Sequence, residues 1–226
     1  RENDVYGAAT QCAIEEGAPI WLFTCDSGPV TLAAGQPIWA QRGVPPRVIQ
    51  AGDIITTEMG THIGYYQAQV QFCLALKPVD ELHKKLNEVD KEVIEAILDK
   101  LRPGVKWSEV CDASDIPLKK ARAFTTSPSI HSMNPQYLRS IMALDYATGR
   151  PSTKERTSTR LVEQPGTMNY ITKVRGPDVI LEKGMVFEPE PGACLEDHRV
   201  LVGGTVVIGE NQPILLNHLA MEMQQI

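Results

Sequence analysis

The sequence predicts an α+β fold, because segments with helical periodicity alternate with segments that look like β-hairpins. Residues 79–101 carry Leu, Val and Ile on one helical stripe, with Glu and Lys elsewhere. Residues 54–57 form a β-branched run after a turn, and residues 64–76 form a second strand after Gly60. This alternation favours α+β over a doubly wound parallel sheet.

The remaining elements follow from local signals. Asp4 is a candidate N-cap for a helix over residues 4–16 that ends at Gly17. The Arg-Pro-Gly turn at 102–104 ends the long helix, and Ser108 is a candidate cap for a shorter helix after it. Three later runs are predicted strands: residues 179–181, 185–187 and 205–208.

Composition narrows the class of function. A chain of 226 residues can form one domain with a sizeable core. Its formal net charge of −6 gives no basic footprint for nucleic acid. No apolar run reaches the roughly 18 residues that span a membrane, and no signal peptide opens the chain. We therefore expect neither a nucleic-acid nor a membrane partner.

The cysteines predict reduced thiols. The chain has five of them, at wide spacing and without a CxxC pair, which argues against a disulfide framework or a zinc knuckle. This usage favours a cytoplasmic location.

Five segments, in order, resemble the superfamily of creatinase and Xaa-Pro aminopeptidases. The last two are a Gly-Met-Val-Phe and Glu-Pro-Gly signature and a final strand that ends in a glutamate. The five segments are residues 47–54, 64–68, 102–105, 181–192 and 204–210. The resemblance implies the pita-bread fold, with two pseudo-symmetric αβ halves around curved antiparallel strands. It also implies one catalytic-type domain over residues 1–226, a missing N-terminal domain and a homodimer.

The peptidases of this superfamily hold two divalent ions with two Asp, one His and two Glu. Glu58 falls where the first Asp is expected, although counting back from Gly64 selects Thr57 instead. Ala68 falls where the metal-bridging Asp belongs, and alanine cannot ligate. The resemblance therefore predicts a divergent site without an intact two-metal centre.

Three other residues match the superfamily's site. His131 corresponds to its histidine, and Glu190 and Glu210 correspond to its two glutamates. These three are the predicted catalytic residues. Glu188 shares the strand parity of Glu190 but precedes the motif.

Comparison with creatinase, which needs no metal, assigns other residues of this chain to the site. Its general-base His falls at Gln41, its creatine-binding Glu at Val70 and a further His at Gly203. His62 and His198 are other candidate bases, and both are expected at the surface. The predicted substrate-binding residues are Gln41, Glu58, Tyr66 and Gln69, and Gln71 adds to this amide-rich set.

The segment at 134–180 is longer than in relatives, and four basic residues lie in it: Arg150, Lys154, Arg156 and Arg160. It is either a solvated loop or an insertion that gates substrate or contacts a second subunit.

Three functions stay open. The first is hydrolysis of a C–N bond in a small amide, amidine or short peptide without a two-metal centre. The second is a peptidase with one Mn, Zn or Fe ion held by Glu58, His131, Glu190 and Glu210. The third is a non-catalytic binding protein that retains the fold.

Overall fold

Three α-helices lie in the part of the chain that the structure describes. The structure is a computed structural model that describes residues 1–29, 39, 44–125, 127–133, 138–140 and 177–226. The helices are α1 (Glu2–Glu15), α2 (Glu81–Lys100) and α3 (Trp107–Ala121). None of them is long and apolar enough to cross a membrane. A short 3-10 helix spans Leu219–Met221.

The helix ends differ from the sequence predictions in two places. Helix α1 begins before Asp4, whose carboxylate instead accepts a hydrogen bond from the backbone nitrogen of Arg1. Helix α3 has Lys106 rather than Ser108 at its N-cap, because the side chain of Glu109 accepts from the Lys106 backbone. Helix α2 has a side-chain cap, since Asp80 accepts from the first turn of backbone N–H groups.

The first sheet contains the predicted hairpin. Strands β1 (Ile20–Gly28), β2 (Ile54–Ile63) and β3 (Tyr66–Ala75) pair antiparallel in that order. Strand β10 (Gly203–Gly204) continues the sheet on β3, and β13 (Gln224–Gln225) pairs with β3 in parallel.

A second sheet carries the C-terminal signature. Its strands run in the order β12 (Pro213–Leu215), β11 (Val206–Ile208), β7 (Val186–Pro189), β5 (Ile130–Ser132) and β6 (Arg139–Ser140). A third sheet joins β4 (Phe124–Thr125), β8 (Ala193–Leu195) and β9 (His198–Arg199). The predicted strand at 179–181 is wrong, since only an isolated bridge between Lys106 and Ile180 forms there.

The largest core cluster lies between the helices and the sheets. Its members include Leu86 and Ile97 on α2, both with no exposed surface. Trp107 on α3 stacks on Phe187 of β7, with ring centroids 5.3 Å apart. This packing fixes β7 against the helices, and so fixes the start of the segment that carries Glu188 and Glu190.

Candidate functional site

The hairpin of β2 and β3 supplies one wall of a buried polar cluster. Glu58 on β2 faces Gln71 on β3 across the ladder, so both side chains lie on the same face of the sheet. Gln69, two residues from Gln71, lies on that face as well. Gln69 is 6% exposed and Gln71 is fully buried.

The two glutamine amides donate hydrogen bonds to two carboxylates. Gln69 Nε2 lies 2.7 Å from Glu58 Oε1 and 3.4 Å from Glu190 Oε2. Gln71 Nε2 lies 2.7 Å from Glu190 Oε2. The Gln69 amide therefore lies between the two carboxylates and links them. The side-chain oxygen of Gln71, Oε1, is buried without a hydrogen-bond partner among the described residues.

His131 approaches this cluster from the second sheet. Its Nε2 lies 3.5 Å from Glu190 Oε1, and its Nδ1 lies 3.2 Å from the backbone oxygen of Ser132. The imidazole is 14% exposed, whereas the Glu190 side chain is 5% exposed. The histidine thus lies between the buried carboxylate and solvent, where it can exchange a proton with either.

A further carboxylate lies deeper in the cluster. Glu188 is fully buried, and its Oε2 accepts a hydrogen bond of 2.8 Å from the hydroxyl of Thr205. Thr205 also lies 2.8 Å from the backbone nitrogen of Gln69 and 2.9 Å from its backbone oxygen. Thr205 therefore connects Glu188 to strand β3. The sequence signal for Glu188 was its strand parity with Glu190.

Among the described residues, Arg199 is a buried cation of this region. It is 1% exposed, and its Nη2 donates a hydrogen bond of 2.9 Å to Ser127 Oγ. Its charge favours the ionised forms of Glu58 and Glu190, and also acts on Asp26 and Asp90. Sequence reasoning missed Arg199, because Glu-Asp-His-Arg at 196–199 looks like a surface turn.

Burial raises the pKa values of the clustered carboxyls. Burial and the nearby charge of Glu58 raise the pKa of Glu190 well above its usual value, and Arg199 opposes them. Burial likewise raises the pKa of Glu188 far above normal, with Glu190 and Glu58 adding to the effect. The pKa of Glu58 is also raised by burial. Asp26, on β1, has a pKa raised to about 6, mainly by burial. Burial thus favours the protonated forms of these carboxyls.

The structure brings together some of the predicted residues and separates others. Glu58, Gln69, His131 and Glu190 lie together. Ala68 pairs with Thr61 and lies on the opposite face of β3 from Gln69, so Gln69 occupies the inward position beside Glu58.

Two of the predicted residues lie at the surface. Tyr66 is 87% exposed at the end of the hairpin. Glu210 follows β11, and its carboxylate pairs with Lys183 in an ion pair whose side chains are 73% and 61% exposed. The expectation that Glu210 faces the site is therefore not met, because the inward-facing strand β11 has already ended at Ile208.

The remaining residues named from the sequence lie elsewhere in the structure or outside its described part. Thr57 is buried beside Glu58, but its hydroxyl bonds to the backbone oxygen of Phe72. Gly203 lies opposite Gln71 at the sheet edge. His198, expected at the surface, has a side chain that is only 21% exposed. Gln41 and the four basic residues of the 134–180 segment lie outside the described residues.

Metal-donor groups are sparse in the described chain. Within it, one group of three His, Cys, Asp or Glu donors lies close enough to hold an ion, with its donor atoms within 4.8 Å of one another. That group is Asp80, His83 and His198, which differ from the residues of the polar cluster.

Comparisons with known proteins agree with the fold. The family described as metallopeptidase family M24 matches residues 1–212. No curated protein matches the sequence. Solved structures do match. The X-Pro aminopeptidase from Thermotoga maritima has a TM-score of 0.67 at 15% identity, over 100% of this chain and 55% of that one.

Two further structures widen this comparison. A prolidase from Thermococcus sibiricus has a TM-score of 0.68 at 19% identity, over 100% of this chain and 53% of that one. A methionine aminopeptidase from Rickettsia prowazekii has a TM-score of 0.65 at 11% identity, over 95% of this chain and 84% of that one. The chain thus spans about half the length of the first two. At these identities the likeness concerns the fold, which is the pita-bread fold that the resemblance implied.

Proposed function

Since the chain belongs to metallopeptidase family M24, we propose that it is a peptidase-type hydrolase that cleaves a C–N bond of a short peptide, amide or amidine without a two-metal centre. The observation that carries this proposal is the approach of His131 Nε2 to Glu190 Oε1, at 3.5 Å, over a buried carboxyl cluster.

The pair of His131 and Glu190 suits proton transfer. Cleavage of a C–N bond requires a base that takes a proton from the attacking water and an acid that protonates the leaving nitrogen. Burial raises the pKa of Glu190, which brings its proton exchange toward neutral pH. His131 reaches solvent and is the group that relays the proton. Glu58 and the Gln69 amide lie beside the pair and would orient the substrate.

The make-up of the polar cluster supports the proposal of a site without two divalent ions. Hard cations require several carboxylate oxygens around each ion. Here the Gln69 NH₂ group, a donor, lies where it contacts both Glu58 and Glu190. Glu210 is at the surface. The described residues of the cluster therefore supply two carboxylates that are linked by an amide, plus Glu188, which is bonded to Thr205.

A single-ion peptidase is the second candidate. It is favoured by the shared contact of Gln69 with Glu58 and Glu190, which places two carboxylates beside one amide, with His131 Nε2 3.5 Å from Glu190 Oε1. Mn, Zn or Fe would suit such a set. The third candidate, a binding protein without turnover, is favoured by the same amides, which satisfy both carboxylates as they stand.

The decisive experiment is hydrolysis of Xaa-Pro dipeptides, other dipeptides, simple amides and guanidino compounds, each with chelator and with added Mn²⁺. We expect cleavage that survives the chelator and falls at least about 100-fold in H131Q and E190Q, since general acid–base groups contribute about 10²–10⁴-fold. The exposed Glu182→Gln variant is the matched control and keeps its activity. Activity that requires added metal supports the single-ion peptidase, and binding without turnover supports the third candidate.

A matched pair of variants tests the role of Gln69. Gln69→Glu adds a carboxylate beside Glu58 and Glu190, so it should lower stability in chelator and gain affinity for Mn²⁺. Ala68→Asp places its carboxylate on the other face of β3 and should gain none. Isothermal titration with Mn²⁺ measures the affinity of each variant for the ion. Equal gains in the two variants would overturn the assignment of Gln69 to the inward position.

The proposal also covers the location of the protein, its oligomeric state and its partners. We infer a cytoplasmic homodimer with a short-peptide or small-molecule substrate, without a nucleic-acid or membrane partner. None of the five cysteines forms a disulfide, and four of them are buried, which suits a reducing compartment. Light scattering of the purified chain tests the dimer, and a monomeric mass would exclude it.

A further inference from the structure

A second polar cluster lies where helix α2 begins, away from the proposed catalytic pair. Asp80 caps the helix, and its Oδ1 accepts hydrogen bonds of 2.9 Å from the backbone nitrogens of Leu82 and His83. Its other oxygen, Oδ2, contacts His83 Nδ1. The carboxylate thus keeps one oxygen for the helix end and turns the other toward the imidazole.

His198, on β9, completes this cluster. Its ring centroid lies 4.8 Å from that of His83. Its Nδ1 lies 2.6 Å from Asp197 Oδ1. One donor atom from each of Asp80, His83 and His198 lies within 4.8 Å of the others.

One ring nitrogen of His83 forms no hydrogen bond within the described chain and is available to bind an ion. The His83 side chain is fully buried, and its Nε2 has no hydrogen-bond partner among the described residues. A buried ring nitrogen without a partner is costly in a native protein unless a ligand satisfies it.

We propose that Asp80, His83 and His198 bind a divalent transition-metal ion, with zinc as the best-suited ion. Two imidazoles and one carboxylate are a common three-residue set for zinc, and water takes the fourth position. Asp80 is 45% exposed, so water reaches that side.

Binding an ion requires a local rearrangement of the side chains. Zinc–nitrogen bonds of about 2.0–2.1 Å place tetrahedral donors about 3.4 Å apart, so the Asp80 carboxylate must move off His83 Nδ1 while the three donors, which lie within 4.8 Å of one another, close around the ion. The side chains of Asp80 and His198 are partly exposed and can move. The ion would join the start of α2 to β9, a strand that also carries Arg199 into the buried carboxyl cluster. The inference does not depend on the proposed hydrolase activity.

The test is titration of the whole chain with Zn²⁺, and with Co²⁺ as a spectroscopic probe, after complete removal of metal. We expect one equivalent to bind and to raise the melting temperature. Loss of either tested ligand should weaken binding at least about tenfold, as loss of even an outer-shell partner does. Asp80→Asn is the first variant because Asn remains a good helix cap. His198→Gln is the second, since His198 is partly exposed.

The controls separate this site from the proposed catalytic site. His218→Gln changes an exposed histidine elsewhere, and Glu190→Gln changes the buried carboxyl cluster. Both should keep the equivalent of Zn²⁺ that Asp80→Asn and His198→Gln lose. The proposal is overturned if the wild-type chain binds no ion, if the D80N/H198Q double variant binds as tightly as wild type, or if H218Q loses as much affinity as H198Q.

Discussion

At the scale of single residues, the site is determined by which buried groups carry charge. Glu188 and Glu190 lie two residues apart on one face, both nearly without solvent, and share the region with Glu58. Three carboxyls cannot all ionise in such a place without several cations, and Arg199 is the buried cation whose charge acts on Glu58 and Glu190. Folding therefore favours proton uptake by part of the cluster.

This proton uptake predicts how stability depends on pH. The pKa of Glu188 in the folded protein lies well above 4.5, its ordinary value. Folding then takes up a proton above pH 4.5, so the free energy of unfolding falls as pH rises, by up to about 1.4 kcal/mol per pH unit for each such proton. Glu188→Gln cannot ionise but can still accept from Thr205, and should make this slope shallower.

Urea unfolding at several pH values from about 5 to 8 measures the slope. Glu210→Gln is the control, because that carboxylate is exposed and its surface ion pair contributes little. A slope in E188Q as steep as in wild type would contradict the prediction.

At the scale of elements, the site depends on how closely the short strand β10 approaches β7. Gly203 has φ +155°, and a Cβ built on it would lie 2.0 Å from the backbone oxygen of Pro189 and 2.9 Å from Gln71 Oε1. Only glycine allows the two sheets to meet at this point. The histidine that the creatinase comparison assigns to Gly203 has no room here.

Gly203→Ala should therefore separate β10 from β7 and destabilise the protein by about 3 kcal/mol or more, because the clash is with backbone. Gly204→Ala is the matched control. Its Cβ would lie 3.3 Å from Met221 Cε and 3.4 Å from Asn217 Cβ, which side chains can relieve, so the expected cost is below about 1 kcal/mol. Chemical unfolding compares the two, and similar losses in both would refute the argument.

At the scale of the whole molecule, α2 holds the sheets together. Its buried face packs in the largest core cluster, and Asp90 on the same helix accepts a hydrogen bond of 2.9 Å from the backbone nitrogen of Ala193. The helix thus contacts the third sheet through a polar bond and the core through its apolar stripe. Loss of that packing should lower the global free energy of unfolding.

Ile97→Ala tests this role of α2. Ile97 has no exposed surface, so its truncation should cost about 2–5 kcal/mol. Ile116→Ala is the same change on α3 at a side chain that is 65% exposed, and it should lie within about 0.5 kcal/mol of wild type. Equal effects would mean that α2 is not packed as described.

The sequence by itself determined the α+β class, the hairpin of β2 and β3 and the long helix α2, whereas only the family resemblance pointed to Glu58, His131 and Glu190. Periodicity and turn residues act over a few positions, so the chain carries those signals locally. Tertiary structure decided which neighbour points inward. A change of one residue in register reverses the face of a strand, and so Gln69 rather than Ala68 lies beside Glu58.

Tertiary structure also decided the places of residues that are distant in sequence. Glu210 lies two residues beyond its strand and at the surface, whereas Arg199 is buried where its charge acts on Glu58 and Glu190. His83 and His198 are separated by 115 positions (198 − 83) and meet only because β9 packs against α2. No local pattern records such a contact, because it is formed by the packing of elements whose own sequences do not depend on each other.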